Sequence, residues 1–128
     1  MLSKKSVFQL LLLFFSFFSA KGQEIVSNLN DSGPGSLRQA IIDVSSGGTI
    51  SFSAGVTGTI TLLSDYPVIT KNIVITGLGQ TNTGISGNGL YGVFEVQSGA
   101  NLTISNMIIT GGGGSRRGSI FNVNGGNS

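Results

Sequence analysis

This 128-residue sequence predicts an all-β fold, a right-handed parallel β-helix (a solenoid of stacked coils) preceded by an N-terminal amphipathic capping helix. Three observations lead there. The stretch from Asn72 to Ser128 reads as two copies of one unit, Asn72–Ala100 and Asn101–Asn127. Each copy holds three short β-forming runs separated by glycine-rich turns. One amphipathic helical pattern, Leu37 to about Val44, stands before them. Self-similarity at roughly 25–30 residues with three strands per unit is the mark of coils that each cover a neighbour's open face.

Residues 1–22 read as a signal peptide. Lys4 and Lys5 supply a positive start, and the apolar run from Val7 to Phe18 is broken only by Gln9 and Ser16. Ala20-Lys21-Gly22 offers the small residues a signal peptidase reads, with cleavage before Gln23. The run is shorter than the ~20 residues that span a bilayer. The expectation is a secreted or cell-surface protein with no membrane span after signal cleavage; an uncleaved anchor is the alternative.

Removing the leader changes the charge balance. Lys4, Lys5 and Lys21 go with it. Arg38, Lys71, Arg116 and Arg117 then face Glu24, Asp31, Asp43, Asp65 and Glu95, a net charge of −1. Nothing in that balance points to a nucleic-acid or anionic-membrane partner. With no cysteine in the chain, stability must come from burial and backbone pairing.

Residues 23–48 are read as the cap. Glu24–Leu29 suggests a short strand, and Asn30–Gly35 is dense in turn residues. Ser36-Leu37-Arg38-Gln39 has the form of a capping box, serine at the cap and glutamine three residues on. Leu37, Ala40, Ile41 and Val44 share one helical face, and Gly47-Gly48 is read as the stop. Such a helix would cover the open end of the first coil.

Residues 49–128 are read as coils. Apolar and polar residues alternate with period two, placing Ile50 and Phe52, then Ile60 and Leu62, inward. Tyr66–Thr70 reads as a short edge or turn segment, because Pro67 cannot donate to a ladder. In the two repeats Ile73 and Ile75 match Leu102 and Ile104, and Ile85–Gly87 matches Ile109–Gly111. Val93-Phe94-Glu95-Val96 aligns with Ile120-Phe121-Asn122-Val123, although apolar residues on both faces leave its phase open. Asn72, Asn101 and Asn127 recur at the coil junctions, either as a hydrogen-bonded ladder or as ordinary turn residues.

Asn28–Val44 (NLNDSGPGSLRQAIIDV) resembles the N-terminal motif, written CSLREAI, of bacterial secreted right-handed β-helix surface proteins of the pectate-lyase-like superfamily. Ser36-Leu37-Arg38-Gln39-Ala40-Ile41 carries the match, with Gly35 at the Cys position and Gln39 at the Glu position. The resemblance implies a β-helical surface protein, and it raises polysaccharide lyase or glycoside hydrolase chemistry as the alternative function.

That chemistry has requirements. Glycoside hydrolysis uses two carboxyl groups across the bond. Elimination from a uronate uses a cation site of several acidic oxygens and a base. The five acids of the mature chain are scattered, metal-ligand spacings are missing, and there is no histidine. No catalytic, cofactor-binding or metal-binding residues are assigned in this segment. Gly111–Gly114 lacks the context of a phosphate loop and reads as a turn. Arg116-Arg117, in the insertion of the second copy, is the candidate contact for an acidic or sulfated glycan, weighed against a solvated loop tip. An ice- or mineral-binding face would need stacked threonine pairs, which Asn72–Ser128 does not offer.

The sequence-level expectation is therefore a β-helical structural or adhesin-like segment of a larger secreted protein, truncated at its C-terminus. Its partners would be carbohydrate or a host or cell-surface ligand, and its last coil would be open to edge-to-edge self-association. The alternative is the cap and first coils of a lyase or hydrolase whose active site lies downstream.

Overall fold

Nine short strands and one helix follow from these patterns in the computed structural model, which describes residues 22–113 and 120–122. In chain order they are β1 (Gln23–Val26), α1 (Leu37–Asp43), β2 (Gly48–Phe52), β3 (Gly58–Thr61), β4 (Ile73–Thr76), β5 (Thr83–Ser86), β6 (Phe94–Val96), β7 (Leu102–Ser105), β8 (Ile108–Thr110) and β9 (Ile120–Asn122). Every pairing between them is parallel. Three sheets result, β1-β2-β4-β7, β3-β5-β8 and β6-β9. The last two circuits of the chain each add one strand to each sheet in turn, and the first adds β2 and β3 with Ile69 as a lone bridge to Val96, so the architecture is the parallel β-helix.

The register explains the core. Ile50 pairs with Ile75 and Ile75 with Ile104. Ile60 pairs with Ile85 and Ile85 with Ile109. Ile69 bridges to Val96. Like residues therefore stack along the solenoid axis, and Ile50, Ile60, Ile75 and Ile85 are all fully buried. Each such side chain contributes roughly 1.5–3 kcal/mol.

The helix forms where the cap signals placed it. The Ser36 backbone is extended, and its Oγ accepts the Gln39 N–H at 3.2 Å. The reciprocal half of the capping box is absent: Gln39 Nε2 donates to Asp43 Oδ1 at 2.9 Å, one turn on. Leu37, Ala40, Ile41 and Val44 are buried as the helical spacing predicts, and α1 packs against β1 and β2. The helix ends at Asp43, with Val44 donating to Ala40 O. Gly47, at φ +84°, serves the turn into β2 and not the helix end; Gly48 already opens the strand.

Gly35, at the Cys position of the motif, has φ +79°. A Cβ there would lie 2.2 Å from Ser27 Oγ and 2.8 Å from Asn28 Nδ2, so a side chain at this left-handed position would have to displace both. Ser27 and Asn28 both donate their backbone N–H to Gly35 O, closing the loop between β1 and α1.

Tyr66–Thr70 carries no strand beyond a lone bridge at Ile69, but Tyr66 is a core residue, which its place in a turn segment did not reveal: it is 4 % exposed and meets Phe94 edge-on at 5.8 Å. One sequence expectation changes. The third strand is shifted by one residue, with Phe94 pairing Ile120, Glu95 pairing Phe121 and Val96 pairing Asn122. Phe94 and Val96 alternate into the core of β6, and Val93 is buried just before it. Consecutive apolar residues carried no period from which to fix that phase.

The two repeats also differ in the turn between their first and second strands. Ten residues run from Ile75 to Ile85, but five from Ile104 to Ile109. The short turn uses Asn106 at φ +56°, and Gly77 and Gly79 of the longer turn donate to Ser105 O and Asn106 O. Asn72 and Asn101 form the ladder: Asn72 Oδ1 accepts the Asn101 backbone N–H at 3.0 Å and its Nδ2–H at 3.3 Å. Residues 1–21, Arg116, Arg117 and Asn127, with the expectations attached to them, lie outside the described residues.

Candidate functional site

Charge is the scarce chemical resource of this chain, so a site should be sought where charged side chains meet. They meet at Arg38, on the first turn of α1. Its Nε donates to Asp31 O at 2.9 Å, and Nη2 to Asp31 Oδ1 at 2.9 Å. Nη2 also reaches Ser64 O at 3.0 Å, and Nη1 reaches Asp65 O at 2.6 Å. The planar guanidinium serves all of these acceptors at once, which an ammonium could not. It lies over the Tyr66 ring, 4.5 Å from the centroid. The Arg38 and Asp31 side chains are only 14 % and 10 % exposed.

The carboxylates complete the arrangement. Asp31 Oδ1 also accepts the Leu63 N–H at 3.0 Å. Asp65 Oδ1 accepts the Gly92 N–H of the following coil at 2.9 Å. Lys71 donates to Ile42 O at 3.1 Å and to Val44 O, satisfying carbonyls at the C-terminal end of α1. Glu24 and Glu95 also engage neighbouring groups. Burial raises the Tyr66 phenol far above its ordinary range; the Arg38 cation opposes that shift in part, and Asp31 adds to it.

Chemically, this constellation binds the chain to itself. Its carboxylates accept backbone N–H groups, and its cations serve backbone carbonyls. Among the described residues no group of three or more His, Cys, Asp or Glu side chains is placed to hold a metal ion. One shallow groove lies between α1 and the segment 67–71, lined by Ile41, Ile42, Pro67, Val68, Ile69, Thr70 and Lys71. Its volume of about 190 Å³ falls below the ~300 Å³ at which pockets for organic ligands begin. No carboxylate faces it.

Beside the exposed Ile25 and Ile108, the sheets' outward faces hold rows of small hydroxyl residues. Thr61, Ser86 and Thr110 form one row, and Ser51, Thr76 and Ser105 another. Thr76 and Ser105 are joined by a 3.4 Å hydroxyl contact. Paired threonines do not repeat, because Gly84 stands between Thr59 and Ile108 and Val74 between Thr49 and Thr103.

Sequence reasoning did not find Arg38 as the hub. The helix motif named it, but its partners Ser64 and Asp65 contribute carbonyls, which any residue supplies. The available signal was an arginine facing two turn-dense segments, Asn30–Ser32 and Ser64–Asp65. Arg116 and Arg117, the glycan candidates, are outside the described residues. No described helix is long and apolar enough to cross a membrane. No family model, curated protein or solved structure matches the chain.

Proposed function

We propose that this chain is a secreted or cell-surface β-helical segment of stalk or adhesin type, which acts by presenting an extended surface and not by catalysis. The observation that carries the reading is the use of charge. Arg38, Lys71, Asp31 and Asp65 all bond to backbone groups of the cap and turns, so their chemistry goes into holding the solenoid. The resemblance of Ser36–Ile41 to the motif of pectate-lyase-like β-helix surface proteins supports the same reading, as does the leader-like composition of residues 1–22. The ligand class that fits is an acidic or sulfated cell-surface glycan met by Arg116 and Arg117.

Two measurements test it. The chain is expressed with its leader in a bacterial host, and intact cells and medium are probed for it by surface proteolysis and blotting. Recovery from the cytoplasm alone, with the leader retained, would remove the surface reading. Separately, purified protein is screened on immobilised glycans beside an Arg116→Ala/Arg117→Ala variant, and incubated with polyuronates. Glycan retention that the double variant loses supports the proposal. New unsaturated uronate ends would identify a lyase in its place.

A further inference from the structure

The segment Leu63–Asp65 touches three successive parts of the molecule. Its first residue donates its N–H to Asp31 of the cap at 3.0 Å. Its two following carbonyls receive Arg38 of α1, at 3.0 Å for Ser64 and 2.6 Å for Asp65. The Asp65 carboxylate then reaches forward to the Gly92 N–H at 2.9 Å. The segment belongs to the first coil, Asp31 and Arg38 to the cap, and Gly92 to the second coil. Just behind it Tyr66 inserts its ring between the Arg38 guanidinium and Phe94, so the apolar contact follows the same route as the polar one.

We infer that Leu63–Asp65 is a strap that joins the cap to the second coil, making release of α1 and opening of the second coil's β6 side a single event, with Arg38 as its positioning residue. In a simple solenoid each unit touches only its neighbours and opening passes one interface at a time. Here both interfaces of the first coil converge on one three-residue segment, so the two neighbour contacts share a single element. It has the property a coupling claim needs, a defined element whose loss both ends would feel. The strap has no regular structure of its own, so its position depends on the groups it bonds. Arg38 makes two of its contacts with a rigid planar fork, and withdrawing it frees both carbonyls together.

Amide hydrogen exchange on the full chain tests this. The reporters are Val44 N–H for the cap, bonded to Ala40 O, and Gln97 N–H for the second coil, bonded to Ile69 O. Neither contacts Arg38 in this bonding scheme. With rising sub-denaturing urea the two amides are expected to converge on one isotherm, as members of one opening unit do. Asp65→Ala removes only the link to Gly92, because the carbonyls that receive Arg38 are backbone. In that variant the isotherms are expected to separate. Arg38→Gln should speed Gln97 exchange about tenfold or more in the wild-type background, the scale for lost charge-assisted hydrogen bonds, and less than twofold beside Asp65→Ala. An equal effect in both backgrounds, or no effect on Gln97, overturns the strap. Should Arg38→Gln not fold, Arg38→Lys replaces it; isotherms that stay merged in Asp65→Ala overturn the proposal without any Arg38 variant.

Discussion

The guanidinium of Arg38 lies 4.5 Å from the centre of the Tyr66 ring, and both groups belong to the seam between cap and first coil. A cation over a ring face in a partly desolvated seam is worth more than at an open surface. The same guanidinium is paired with Asp31, so its removal would leave a largely buried carboxylate without its cation. Arg38→Ala is expected to destabilise the protein by about 3 kcal/mol, and Arg38→Lys by somewhat less. Urea unfolding followed by far-ultraviolet circular dichroism measures both.

Tyr66 predicts an alkaline limit. Its phenol is raised in the folded protein by burial, while in the unfolded chain it titrates near its ordinary value of about 10. The stability this group contributes is therefore complete below pH ~10 and is lost as pH rises beyond it, because the unfolded state releases the proton first. Tyr66→Phe should remove that loss. It should also raise stability at neutral pH by about 1 kcal/mol, since the buried hydroxyl makes no hydrogen bond with the described residues. Thermal midpoints at neutral pH and at pH ~10.5 and above, for both proteins, decide the point.

Two glycines should respond differently to alanine. At Gly87 a Cβ would meet Tyr91 O of its own turn at 2.2 Å and Gly111 O of the next coil at 2.7 Å, both backbone atoms. Gly87→Ala is expected to cost about 3 kcal/mol, at the upper end for overpacking. At Gly47 there is open space, and only the left-handed backbone resists a side chain. Gly47→Ala should cost about 1 kcal/mol. Denaturation midpoints of the two variants, with unchanged slopes, provide the comparison.

The asparagine ladder yields a graded pair. Asn72→Ala deprives the Asn101 backbone N–H of its acceptor and should cost about 1 kcal/mol. Asn72→Asp keeps an oxygen in that position and should cost less at neutral pH. Equal losses for the two variants would show that the acceptor oxygen contributes nothing.

Much of the solenoid was legible because its apolar residues are isolated. Leu102 and Ile104 sit in a two-residue period with polar neighbours, and the repeat aligns them with Ile73 and Ile75, so register followed directly from pattern. The repeat likewise matched Ile85 to Ile109 despite their unequal distances from Asn72 and Asn101, which open the two copies. In Val93-Phe94-Glu95-Val96 the neighbouring residues are all candidates for the core, and the alignment of Phe94 with Phe121 was one residue out. Tyr66 was hidden by Pro67: a turn signal reports backbone, and the ring's direction is set by tertiary contact with Phe94. Arg38 was legible as a helix residue but not as a hub, because hydrogen bonding to distant carbonyls leaves no trace in the identity of the accepting residue.

The unequal turns between stacked strands have a practical consequence. Ile75 and Ile104 share a rung even though ten residues carry the chain onward from one and five from the other. Contour length can thus change by half at this corner while the rungs keep their order. The exposed tip Gln80–Asn82 is accordingly a natural grafting point. Foreign peptides inserted there would project from the side of the solenoid, while the adjoining coil, with its shorter turn, keeps its rung about 4.8 Å away.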